Sequence, residues 1–224
     1  MEHNADVLAV DLDVLEVARR RGIEHVLHFT TNLGLVGIFA TKLIKARTLL
    51  EKNQYLEHLF IANNSIRKDP AWAGYISMSV SGINAEHLRY SRAEHLLDDL
   101  WWCVLDLAPA ILAHDGVMFV TANNIWPRSE RGTGGAGLEA LFATRIAGRY
   151  SSIHEREAEM PPARTTCSEA EVLYPQEVST DYLRGIYVQN DAHAADVEAG
   201  MSATSHRDVP VYVNEQIFTE GLLK

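Results

Sequence analysis

A chain of 224 residues that is 47% hydrophobic and 22% charged has the composition of a folded globular protein, which excludes a disordered or collagen-like one. Its only cysteines, Cys103 and Cys167, exclude a disulfide framework and a four-thiolate zinc centre, and point to a reducing, cytoplasmic compartment. The net charge of −10 is uneven: from Glu169 onward ten acids face three bases, while arginines outnumber lysines fifteen to five overall, so the charge permits a nucleic-acid substrate without suggesting one.

Val7 to Arg20 reads as a helix, with an apolar set at Val7, Val10, Leu15 and Val17, arginines at its C-terminus and Gly22 beyond it. Val26 to Thr30 is a short buried strand, and Asn32 the N-cap of a helix carrying Leu33, Val36, Ile38 and Phe39. Lys42 and Lys45 interrupt the apolar run Leu33 to Leu50, leaving it short of the ~20 residues of a membrane helix, so no membrane association is expected. The acidic opening Met1 to Asp6 is unlike the basic start of a secretory leader.

Glu51 to Trp72 reads as a helical piece followed by a loop. Strands follow at Gly74 to Val80, Trp101 to Leu107, Gly116 to Thr121, Ala170 to Tyr174, Ile186 to Val188 and Val209 to Val213. Between them, Pro127 to Gly137 has four glycines and reads as a mobile loop. Leu138 to Ile146 reads as a helix, Glu155 to Thr166 as a segment without regular structure, and Ala194 to Met201 as a short helix. Strands and helices do not alternate regularly, which predicts a single α+β domain over residues 1–224, built on antiparallel sheets with N-terminal and peripheral helices.

No Walker loop or Gly-x-Ser-x-Gly elbow occurs, and Gly132 to Gly137 lacks the strand-to-helix setting of a dinucleotide fingerprint. His25 and His28 are three apart, which on a strand sends them to opposite faces, so no metal is expected. Two features remain. His28-Phe29-Thr30-Thr31-Asn32 places an imidazole and hydroxyls where a buried strand hands over to a helix; taken alone it equally suits a core histidine and an ordinary cap. Glu169-Ala170-Glu171 puts two carboxylates on one face of a strand; taken alone it suits an acidic edge. Together they fit the splitting of NAD by a mono-ADP-ribosyltransferase: a carboxylate bonded to the ribose stabilises the oxocarbenium-like ribose as nicotinamide leaves, and a second acid–base role takes a proton from the incoming nucleophile.

The ordered set Ile23 to Leu33, Arg67-Lys68-Asp69, Tyr75 to Ser79, Trp101 to Leu105, Asp115 to Asn124 and Ser168 to Pro175 resembles the DarT DNA ADP-ribosyltransferase toxins over roughly residues 23 to 190. Within that family it is most similar to the guanine-modifying branch. The resemblance implies an ADP-ribosyltransferase-like fold with a split central sheet and transfer of ADP-ribose from NAD to a base of single-stranded DNA. It also implies neutralisation by a DarG-type macrodomain antitoxin.

Position by position, the resemblance implies that Glu171 is catalytic and that Arg67 contacts NAD and stabilises the transition state. His28, Thr30 and Asn32 begin the NAD site, and Tyr75 and Ser77 form the nicotinamide wall. The loop Tyr150 to Ser168 would recognise substrate, with Arg149, Arg156 and Arg164 holding phosphates and Thr165 and Thr166 touching the base; the same residues also suit a solvated loop. Glu169 stands where thymine-modifying relatives tend to carry Gln, which leaves an amino-group or arginine target open. Trp126 and Tyr150 are candidate stacking platforms or core residues. The alternatives are a transferase acting on a protein side chain such as arginine, and a catalytically silent binding module.

Overall fold

The computed structural model describes residues 10–50, 70–94 and 99–223. The expected helical piece and loop from Glu51 therefore lie outside the described residues as far as 69, and Arg67 with them; a single turn, Pro70–Trp72, closes that segment.

The first helix, α1 (Leu12–Arg21), begins where Asp11 can cap it. The Asp11 carboxylate accepts from the backbone N–H of Asp13 at 3.0 Å and of Val14 at 3.2 Å. It stops at Gly22, whose φ of 68° is the left-handed conformation that releases a chain from a helix. Strand β1 (Val26–Thr31) follows and passes directly into α2 (Asn32–Thr41). The cap of α2 is Thr31 rather than the expected Asn32: the strand runs one residue further, and the Thr31 hydroxyl accepts from Gly34 N–H at 3.1 Å. Asn32 is released to bridge outward, donating to the Asp99 carbonyl at 3.0 Å and accepting from Trp101 N–H at 3.4 Å.

Among the further described elements are β2 (Leu43–Lys45), β3 (Tyr75–Val80), α3 (Ala85–Glu94), β4 (Trp102–Leu107), β5 (Met118–Val120), β6 (Arg131–Gly132), α4 (Gly134–Ala140), β7 (Arg145–Ala147), β8 (Ile153–Glu155), β9 (Glu171–Pro175), β10 (Glu177–Ser179), β11 (Leu183–Val188), α5 (Asp191–Ala203), β12 (Val211–Val213) and α6 (Gln216–Glu220). Eight strands form one sheet in the order β12-β11-β4-β1-β3-β9-β5-β6, antiparallel at each described pairing except β11 with β12. β4 lies between β1 and β11 and is buried along its whole length, because both faces are covered. On one face Cys103 and Leu105 pack with Val17, Phe39 and Val197 from α1, α2 and α5; on the other Trp102 and Val104 pack with Leu88 from α3 and Phe218 from α6. The α+β architecture expected from the sequence is the one observed.

Three local expectations change. The glycine-rich stretch is not a free loop: Gly132 ends β6 and Gly134 opens α4. A Cβ added to Gly137 would stand 2.5 Å from the Gly132 carbonyl carbon, and one on Gly135 2.9 Å from Asp13 Cβ, so these glycines let backbones touch. The helix expected over Leu138 to Ile146 is α4 displaced toward the N-terminus, after which the chain turns into β7. Glu155, expected in an irregular segment, instead ends β8 and pairs with Arg145 of β7.

Candidate active site

The sheet parts between β1 and β3. Only two residue pairs, Val26 with Val80 and Leu27 with Ser79, are in register before the strands diverge. One step further, His28 Nδ1 lies 2.9 Å from the Ser77 carbonyl oxygen. A carbonyl only accepts, so Nδ1 carries a proton and donates it to Ser77. The side chain thus bridges the strands where the backbone ladder has ended.

Period-two alternation supplies the rest. Ile76, Met78 and Val80 are buried, whereas Tyr75, Ser77 and Ser79 share the partly open face of β3. β9 runs antiparallel beside it, with Met78 opposite Val172 and Ser77 opposite Leu173, so Glu171, the first residue of β9, continues the register beside Ser79, where the β1–β3 ladder ends. The Ser77 hydroxyl donates to Glu171 Oε2 at 3.1 Å. One serine thus touches the early imidazole through its carbonyl and the late carboxylate through its hydroxyl. Tyr75 is on the same face, its ring 5.4 Å from that of Trp72.

Glu169 departs from the expected geometry. The strand starts at Glu171, and Glu169 lies in the preceding turn, so the two carboxylates are not successive members of one strand face. Glu169 Oε2 instead accepts from Trp126 Nε1 at 3.2 Å. The Arg149 guanidinium carbon lies 4.7 Å from the Trp126 ring centroid and 4.4 Å from that of Tyr150, and Arg149 Nη2 donates to the Tyr150 hydroxyl at 2.6 Å. Arg128 reaches Ser151 Oγ at 3.4 Å. Sequence reasoning named Trp126, Arg149 and Tyr150 separately. It missed Arg128 and the connection to Glu169, because nothing in the spacing joins positions 43 residues apart.

Of the other loop residues, Arg156, Thr165 and Thr166 are tied to the protein's own backbone. Arg156 donates to the Arg164 carbonyl at 2.7 Å and the Pro161 carbonyl at 2.8 Å, and so closes the loop on itself. Thr165 and Thr166 are buried, their hydroxyls given to the carbonyls of Cys167 at 2.9 Å and Ala143 at 2.8 Å. Arg164 is exposed. Thr30 is buried beneath α2, so near Gly34 that a Cβ there would stand 2.3 Å from its hydroxyl. Asn32 opens toward a different cavity of about 700 Å³, walled also by Asp99, Trp101, Gln189 and His193, with the Trp101 and His193 rings stacked at 4.3 Å. Neither His28 nor Glu171 lines it.

The thiols offer no competing nucleophile: burial pushes Cys103 up to about 12 and Cys167 up to about 11. No group of three metal-ligating side chains occurs among the described residues, nor a helix long and apolar enough to cross a membrane. What this end of the split offers is a carboxylate bonded by a hydroxyl, an imidazole tied to the same serine, and an arginine–aromatic cluster joined to Glu169, two residues before Glu171. That set can hold a polar cosubstrate and stabilise a developing positive charge.

Residues 27–219 match the model of the family described as DarT, ssDNA thymidine ADP-ribosyltransferase. No curated protein matches the chain. Among solved structures, Thermus sp. 2.9 DarT in complex with NAD+ is similar at a TM-score of 0.59 and 14% identity, over 86% of this chain and 96% of that one. The same Thermus protein in complex with ADP-ribosylated ssDNA gives 0.58 and 13%, over 87% and 96%. Thermosipho africanus DarTG in complex with ADP-ribose gives 0.54 and 12%, over 87% of this chain and 51% of that one, so this chain spans about half of the DarTG chain. With the family model matching most of its length and the split sheet of the fold in place, the chain belongs to the DarT family of ssDNA ADP-ribosyltransferases.

Proposed function

We propose that this chain transfers ADP-ribose from NAD to a guanine base of single-stranded DNA, as the toxin of a pair whose antitoxin is a DarG-type macrodomain protein. The observation that carries the reading is the joint tie of His28 and Glu171 to Ser77 at the mouth of the β1–β3 split. The solved relatives bound to NAD+ and to ADP-ribosylated ssDNA support the two substrates, and the DarTG chain supports the antitoxin.

NAD supplies an electrophilic ribose carbon whose bond to the cationic nicotinamide is ready to break. The residues of the split suit it: the His28 imidazole stands where a ribose hydroxyl would meet it, and Tyr75 offers a ring face to nicotinamide. Glu171 places its negative charge, in the orientation Ser77 sets, where positive charge develops as nicotinamide leaves. The incoming base then bonds to that carbon and gives up a proton to a carboxylate of the site.

Guanine is favoured by Glu169. A carboxylate only accepts hydrogen bonds, and with Oε2 taken by Trp126 its Oε1 suits the N–H donors of guanine; thymine presents an N–H flanked by two carbonyl acceptors, which a carboxylate repels. Melting a duplex base costs a few kcal/mol, which a single-stranded substrate avoids.

The test is mass spectrometry of single-stranded oligonucleotides differing in one base, after reaction with NAD. An adduct confined to guanine-containing strands is expected, and Glu169→Gln should weaken the preference. Adducts on thymine would overturn the base assignment, and label on protein alone would overturn the DNA reading in favour of the side-chain alternative.

A further inference from the structure

Tyr150 is the most exposed large apolar or aromatic side chain among the described residues, at 84%. It stands at the tip of the hairpin formed by β7 and β8, and its backbone is left-handed (φ 52°, ψ 39°), a conformation a bulky side chain rarely takes. The tip is held on several sides. Gly148 N–H donates to the Ser152 carbonyl at 2.9 Å, Ser152 N–H to the Arg149 carbonyl at 3.0 Å, and Arg128 reaches Ser151. The His154 ring closes over Gly148, where a Cβ would stand 2.3 Å from its Nε2. An aromatic ring has thus been presented to water on a fixed support.

Behind the ring is a layered set of groups. Arg149 lies within 4.4 Å of the Tyr150 centroid and 4.7 Å of the Trp126 centroid, and the half-buried Trp126 donates to Glu169. The cluster therefore connects an open ring face, through a cation, to the carboxylate two residues before Glu171. Ile125 and Ile153, half-exposed, extend the apolar surface. An open aromatic face, a guanidinium beside it and a second arginine at the rim suit a nucleotide: a base stacks on the ring and its phosphate meets the cation.

We propose that Tyr150 is the stacking platform for the nucleotide adjoining the modified base. Arg149 and Arg128 meet the intervening phosphate, and Trp126 is a positioning residue that holds Arg149 and Glu169 rather than a platform itself. This rests on the reading of the chain as a transferase acting on single-stranded DNA. It gives the loop a way to hold a strand without the broad positive field that a net charge of −10 does not supply.

The experiment measures ADP-ribosyl transfer to a modified-base oligonucleotide series, with kcat and KM separated. Tyr150→Ala should raise KM for the oligonucleotide about tenfold while keeping kcat, and Tyr150→Phe should restore KM, since the ring and not the hydroxyl stacks. Removing the base on one side of the target, by an abasic site, should cost the wild type the same factor and cost Tyr150→Ala nothing more. An unchanged KM in Tyr150→Ala, or an abasic penalty that persists in that variant, overturns the platform while leaving the DNA reading intact. A wild type that labels no oligonucleotide overturns both.

Discussion

The hydroxyl of Ser77 lies 3.1 Å from Glu171 Oε2. These residues are 94 positions apart, and they meet because β3 and β9 are antiparallel neighbours and the alternation of β3 turns Ser77 to its open side. The same serine is held from behind by His28, so a shift in β1 reaches the carboxylate through one residue.

Ser77→Ala removes the group that aims Glu171 and leaves the charge in place. A hydrogen bond to a charged group contributes roughly 1.5–3 kcal/mol, so kcat should fall about tenfold or more while KM for NAD changes little. Ser77→Thr keeps a hydroxyl on a strand and should restore most of kcat. His28→Ala should instead act on KM for NAD. Steady-state kinetics of the three variants check this; a Ser77→Ala enzyme with wild-type kcat would remove the positioning role.

Gly137→Ala should destabilise the fold by about 1–3 kcal/mol, the range for overpacking a close contact. Its Cβ would collide with the Gly132 backbone, which has no side chain to move aside. Urea unfolding measures the effect, and a loss below about 0.5 kcal/mol would return this stretch to a free loop.

The fold should weaken as pH drops below 6.5. Burial holds the His114 pKa below its ordinary 6.5, and its Nδ1 lies 2.7 Å from the hydroxyl of Tyr174, itself pushed up by burial to about 12 and so a donor at neutral pH. A depressed folded value means that the unfolded chain binds the proton more tightly. The stability is therefore complete above 6.5 and lost as pH falls toward the folded value. His114→Gln, which cannot titrate, should flatten the dependence of Tm on pH between about 7.5 and 5.5; an unchanged slope would assign it to other groups.

Much of the fold was legible because burial writes itself into period-two patterns. The alternation at Gly74 to Val80 and the apolar run at Trp101 to Leu107 became β3 and β4 nearly as read. The glycine-rich stretch was not, since composition cannot tell a glycine that frees the chain from one that admits a neighbouring backbone; Asp13 and Gly132 decide that only once folded. Nor was the β2–β10 pair, whose strands have three residues each and no signal apart from each other. At the site, His28 and Glu171 stood out by residue type and local pattern. That Arg156, Thr165 and Thr166 turn inward depends on carbonyls that no spacing foretells. Glu169 lost its strand face because β9 starts at Glu171.

The most direct test of the account is transfer of radiolabel from NAD to a single-stranded guanine-containing oligonucleotide, by wild type and by Glu171→Gln, beside the Kd of each for NAD. Removing one electrostatic stabiliser of a developing charge typically costs about 10²–10³ in kcat. Glu171→Gln should therefore bind NAD like the wild type, melt within a few degrees of it and transfer at least about a hundredfold more slowly. Wild-type transfer by Glu171→Gln would show that the carboxylate at the head of β9 does not carry the reaction.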